Sequence, residues 1–152
     1  MRMWPYQMLD VLPTKQLVSQ WRECLAIAGS MASEAGLNHA TVNRVKEYPV
    51  EHFAAYCDLV RKEFEARGFT IGTNTIEKLD RDINYSCLKY GLEVVDGLAL
   101  VDGERLLGDF HGDRYVMQCV YSFQERYDCG TITKLEWERI YLKLWPDGVD
   151  KW

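Results

Sequence analysis

Apolar side chains recur at intervals of three and four residues along most of the chain, the signature of helices that bury one face. Over 14–28, TKQLVSQWRECLAIA, the stripe consists of Leu17, Val18, Trp21, Leu25 and Ala28, with Pro13 suited to a first turn. Arg22 and Glu23 leave the edge of this stripe rather than its centre, a position compatible with the wall of a cleft. GSMASEAGLN then reads as a loop, before a short helix from about Ala40 to Tyr48 that His39 enters and Pro49 terminates. From Val50 to Arg67, the positions Phe53, Tyr56, Cys57, Val60 and Phe64 predict a second long helix, with Gly68 placed to cap it.

Asn74 with Glu77 has the form of a capping box opening a short helix near 75–83. Residues 115–128 and 133–145 predict two closing helices, the latter opened by Thr133 and Glu136 as a capping box and followed by Pro146. Ahead of these two, 91–115 repeats Asp-Gly at 96–97 and 102–103 among the apolar pieces EVV, LALV and RLLG, which fits either a small hairpin or short helices joined by turns. The expected architecture is mainly α: a single compact helical domain over 1–152, with a small β ribbon around 91–110 as the one other option.

Composition narrows the class further. A hydrophobic content of 47% with 27% charged residues is ordinary globular usage and argues against disorder or low complexity. No apolar run approaches the roughly 18 to 20 residues of a bilayer span, and MRMWPYQMLD lacks the apolar stretch of a secretory signal, so a cytoplasmic protein without membrane attachment is expected. Cys24, Cys57, Cys87, Cys119 and Cys129 are widely spaced with no C-x-x-C pair, and read as buried thiols in a reducing compartment.

Common catalytic signatures are missing: there is no H-E-x-x-H, P-loop, G-x-S-x-G or strand-linked G-x-G-x-x-G. His39, His52 and His111 are far apart with no carboxylate pattern joining them, so neither a metal nor another cofactor is expected. The formal charge of −5 opposes nucleic-acid binding in bulk. Local field matters as well as total charge, and Arg2, Lys15, Arg22, Arg44 and Lys46 lie in the first third, where acidic residues are sparser.

Four stretches give the chain a likeness: MRMW at 1–4, LPTKQLVSQWREC at 12–24, NHATVNRVKEYP at 38–49 and LVRKEFEARGF at 59–69. In this order they resemble the pyrimidine-dimer DNA glycosylase and AP-lyase family, the phage-type endonuclease V enzymes, and especially its bacterial branch. The resemblance implies a DNA repair N-glycosylase with AP-lyase activity acting on damaged double-stranded DNA without a cofactor. It implies that the N-terminal amine attacks the sugar C1′ and forms an imine, and that Glu23 is the catalytic carboxylate. Because Arg2 is too bulky for routine removal of the initiator, the amine would be that of Met1. An α-amine, with a pKa near 8, is partly neutral at pH 7, which suits a nucleophile better than an ordinary lysine. Arg2 and Arg22 match phosphate-holding positions of the family, and His39 a position beside the cleft; Lys15, Gln16, Arg44 and Lys46 are candidate backbone contacts.

The chain departs from the phage pattern in its acidity, in Ala26 where the phage form has a further phosphate-binding arginine, and in a different C-terminal helical pair. Residue chemistry alone also fits a surface ion pair at Arg22 and Glu23, and a capping or packing histidine at position 39. Two other functions compete: a non-enzymatic helical module that binds DNA or protein on the retained scaffold, and a related base- or nucleotide-processing enzyme with a smaller substrate. Trp137, Tyr141, Trp145 and Trp152 fit either a homodimer patch or helix packing.

Overall fold

In the computed structural model, the structure describes residues 2–89 and 106–146. These residues form six α-helices and two short 3-10 segments, with no strand among them: α1 Thr14–Ala32, α2 Ala40–Val45, α3 Val50–Ala66, α4 Thr73–Lys89, α5 Asp113–Asp128 and α6 Lys134–Leu144. The 3-10 segments are Tyr6–Val11 and Gly108–His111. The all-helical expectation holds. Of the ribbon option around 91–110, residues 106–110 are a turn and the start of the second 3-10 segment, and 91–105 lie outside the described residues.

Three helices depart from their expected ends, the first through tertiary packing that overrides local propensity. Helix α1 runs four residues past the expected 28, through Gly29, because Ser30 and Met31 are buried and Gly29 lies beside the Lys78 and Asp82 side chains of α4. Helix α4 begins at Thr73 and reaches Lys89. The Gly72 carbonyl accepts from the Thr75 and Ile76 N–H groups, so Asn74 lies inside the first turn and does not cap it. Helix α2 stops at Val45, short of Pro49, and Pro49 instead precedes the first turn of α3. Two other signals hold as read. Gly68, at φ 70°, ends α3 with Phe69 N–H reaching back to the Phe64 carbonyl, and Thr133 with Glu136 forms the full reciprocal capping box on α6.

Helix α1 lies chiefly against α4 and also against α3. Trp21 fills the seam, 6.4 Å from the Phe64 ring, with its indole N–H donating to Thr75 Oγ1. Four of the five cysteines are buried as expected, and Cys129 is a correction: it caps the exposed C-terminal end of α5, where no neighbouring element covers it. Tyr127, Trp137, Tyr141 and Trp145 form a ladder with successive ring centroids 6.1, 6.2 and 5.1 Å apart. Tyr127, Trp137 and Trp145 pack against the core, and Trp152 lies outside the described residues. Among the described residues no helix is long and apolar enough to cross a membrane.

The least expected element is the start of the chain. Residues 2–5 have no regular secondary structure and enter the core, with Met3 and Trp4 buried, and the 3-10 helix that follows buries Met8 and Leu9. The C-terminal end of that 3-10 helix is held by Arg67 at the C-cap of α3. Its guanidinium pairs with Glu63 at 2.6 Å and donates to the carbonyls of Leu12 at 2.7 Å, Leu9 at 3.1 Å and Asp10 at 3.1 Å. One side chain thus serves three carbonyls at the helix end, of which that of Leu9 also accepts from Leu12 N–H. Arg67→Met is expected to lower unfolding free energy by about 2–3 kcal/mol, because the carbonyls and Glu63 lose their partner together. Urea denaturation measures this, and a loss below about 0.5 kcal/mol would show that water replaces the clamp.

Candidate active site around the anchored N-terminal segment

A segment buried without regular secondary structure must find partners for its backbone groups elsewhere. Here side chains supply them from three α-helices and the second 3-10 segment. Trp4 N–H donates to Gln20 Oε1 on α1 at 2.8 Å, and the Trp4 carbonyl accepts from the Tyr56 hydroxyl on α3 at 2.7 Å. The Met3 carbonyl accepts from the Tyr115 hydroxyl on α5 at 2.8 Å, and Tyr6 N–H donates to His111 Nδ1 at 3.3 Å. The Trp4 ring stacks on Phe123 of α5, with centroids 4.3 Å apart, and the Arg2 guanidinium lies 5.1 Å from its ring centroid. Burial pushes the Tyr56 and Tyr115 phenols above their ordinary range, so both stay protonated and able to donate.

His111 is itself placed by the preceding turn. Leu107 takes a left-handed conformation, φ 57°, with its N–H donating to His52 Nδ1 at 3.0 Å, while Phe110 N–H donates to the Tyr48 hydroxyl at 3.1 Å. Buried beside Tyr6, Tyr56, Phe110 and Tyr115, His111 is held neutral by desolvation, which lowers its pKa to about 3. Between about pH 3 and the unfolded value near 6.5, the unfolded chain therefore binds a proton that the folded chain does not. This contribution to stability is complete above that window and is lost as pH falls through it. His111→Phe is expected to flatten the fall in stability between pH 6.5 and 4.5 by about 2–3 kcal/mol relative to the parent chain. Urea midpoints at the two pH values check it, and parallel slopes would contradict it.

Gln16, Gln20 and Glu23 lie at i, i+4 and i+7 on one face of α1. Trp4 is bonded to the middle of that face, and Glu23 stands one turn further on, half-buried, with no ion pair or hydrogen bond among the described residues. Arg22 is exposed and likewise unpaired among the described residues, so the surface ion pair is not formed; adjacent helical residues point about 100° apart. Arg2, Lys15 and Lys46 are exposed and also lack an ion pair among the described residues. Arg61, Lys62, Arg67, Lys78 and Arg81 on α3 to α4 are each paired with Asp or Glu, whereas Arg114, Arg126 and Arg139 further on have, like the early cations, no ion pair among the described residues. The first third of the chain therefore carries cations not neutralised within the fold.

The remaining sequence candidates have other positions. Arg44 is engaged by Glu47. His39 is the N-cap of α2, its Nδ1 accepting from Thr41 N–H at 3.1 Å, so the capping role is the one seen. Lys15, at the start of α1, lies eight residues before Glu23, about 12 Å along the axis, and contributes to lowering the Glu136 carboxyl pKa, which Thr133 chiefly holds down. Met1 lies outside the described residues. All three histidines spend Nδ1 on a backbone N–H, and among the described residues no cluster of His, Cys, Asp or Glu has the makings of a metal site.

A cavity of about 330 Å³ sits apart from this corner, between the start of α1 and α6. Most of its polar lining is already engaged: Arg67 on carbonyls, Glu136 in its capping box and Asp10 with Lys143 at 2.7 Å. The residues that sequence reading missed are Gln20, Tyr56, Tyr115 and His111. Gln20 had a visible signal, a polar residue between Leu17 and Cys24 within the buried stripe of α1.

An all-helical domain with a carboxylate one turn from a pinned N-terminal segment is the class defined by fold and site. The family model for pyrimidine dimer DNA glycosylase matches residues 1–77, just over half the chain, and the chain belongs to that family of DNA repair glycosylases. Comparison with curated proteins and with solved structures gave no match. The matched span carries Gln20, Arg22, Glu23 and Tyr56. The other two anchors, His111 and Tyr115, and the Phe123 stack come from beyond it.

Proposed function

We propose that the protein is a DNA repair N-glycosylase with AP-lyase activity, acting on damaged double-stranded DNA through an imine formed by the α-amine of Met1. The observation that carries this reading is the backbone bond from Trp4 to Gln20, one turn before Glu23. Three residues of extended chain reach about 10 Å beyond Trp4 N, enough for the amine to meet the Glu23 carboxylate across one turn of α1. In the proposed reaction the amine attacks C1′ of the damaged nucleotide, and the N-glycosidic bond breaks with its electron pair leaving on the base, which takes up a proton. Loss of the amine's protons and opening of the sugar ring give the imine. Glu23 then removes a C2′ proton, and elimination expels the 3′ phosphate and cuts the strand.

Arg2 and Arg22, exposed and without an ion pair among the described residues, are the proposed phosphate contacts, with Lys15, Gln16 and Lys46 as further backbone contacts. Arg44 serves there only by exchanging Glu47 for phosphate, and His39 acts by capping the helix that borders the site. These free cations answer the objection raised by the overall charge of −5, because phosphates respond to the nearby field. Borohydride trapping on a duplex containing an abasic site tests the proposal. A covalent adduct mapped to Met1 supports it; no adduct from a folded chain favours the non-enzymatic module.

A further inference from the structure

Gln20 is fully buried, yet it makes a single hydrogen bond, through Oε1 to Trp4 N–H, and its Nε2 has no partner among the described residues. The donor on Trp4 fixes which end of the amide faces the segment, so the orphaned end is the NH2 group. Leaving two N–H donors unsatisfied in the core costs stability, and an apolar residue continuing the Leu17, Trp21 and Cys24 stripe would avoid that cost. Its presence calls for a use beyond packing.

We infer that Gln20 is a positioning residue that sets the reach of the N-terminal amine relative to Glu23, an inference that rests on the amine reading above. The geometry gives it leverage. Its bond is the anchor on Trp4 N, whereas Tyr56 and His111 hold groups further along the chain, and Tyr115 holds the Met3 carbonyl from the opposite side, on α5. Gln20 and Glu23 project from adjacent turns of the same helix, so the bond ties the segment to the element that carries the proposed base. A neutral amide does this without a second carboxylate beside an amine that must lose its proton to attack.

The test is borohydride trapping on an abasic-site duplex, reading both the rate at saturating DNA and the half-saturating DNA concentration. Gln20→Met, of equal length but without the acceptor, is expected to lower the saturating rate about 100-fold with half-saturation unchanged. Thr133→Ala, which loses a remote helix cap, controls for stability and is expected to trap at the parent rate. One glycine inserted between Arg2 and Met3 keeps every anchor and moves the terminus by about 3.5 Å; it is expected to lose rate similarly, and it decides the matter alone if Gln20→Met does not fold. Parent-like rates in the insertion variant, or a Gln20→Met loss confined to half-saturation, overturn the positioning role. Trapping by an N-terminally acetylated parent chain, or none by the unmodified chain, instead overturns the amine reading and this inference with it.

Discussion

Replacing Glu23 by Gln is expected to slow strand cleavage at an abasic site by about 100- to 10,000-fold, the range supplied by a positioned general base. The change keeps size and polarity and removes only the charge. Because Glu23 is half-buried and bonded to nothing among the described residues, no ion pair is broken and the melting temperature should stay within about 2 °C of the parent. The pattern of loss is informative. Elimination needs a group to accept the C2′ proton, so cleavage should fall further than the amount of adduct trapped before elimination. Gel assays of cleaved strand and of trapped adduct on the same duplex separate the two. Cleavage at the parent rate would remove Glu23 from the mechanism.

Blocking the N-terminus, by acetylation or by a short extension, is expected to reduce trapping more than about 1,000-fold while the helical circular-dichroism signal persists. Acetylation removes the amine whose ordinary pKa lies near 8, and lysines near 10.4 are almost fully protonated at pH 7. The anchors begin at Met3, so the modification leaves the Tyr115, Gln20, Tyr56 and His111 bonds untouched. Retained trapping, with the adduct mapped to a lysine by proteolysis and mass measurement, would falsify the assignment of the nucleophile.

Much of this was legible in the sequence, for identifiable reasons. Helices α1 and α3 bury one stripe each, and the helical spacing of Leu17, Trp21 and Ala28, with Val18 and Leu25 partly buried, or of Phe53, Tyr56, Cys57, Val60 and Phe64, is the direct imprint of that burial. The capping box at Thr133 and Glu136 is a contact between residues three apart, so it too is local. Glu23 and Arg22 stood out at the stripe's edge together with a family likeness that the match over 1–77 supports. The extents of α1 and α4 were not legible, because Gly29 and the residues after 83 are helical through contacts between α1 and α4.

By itself, then, the sequence determined the helical class, the positions of the main helices, the family, and the candidates Met1, Arg22 and Glu23. Only the tertiary structure decided that the chain's first residues are core, and which groups hold them. Trp4 meets Gln20 across 16 residues, Tyr56 across 52, and Met3 meets Tyr115 across 112. Such pairings leave no periodicity to read, since each is imposed by a buried backbone group that needs a partner and finds it wherever the fold brings one. The same constraint makes His111 a neutral acceptor for Tyr6 N–H and sets Gln20, a polar residue in an apolar stripe, against Trp4 N–H.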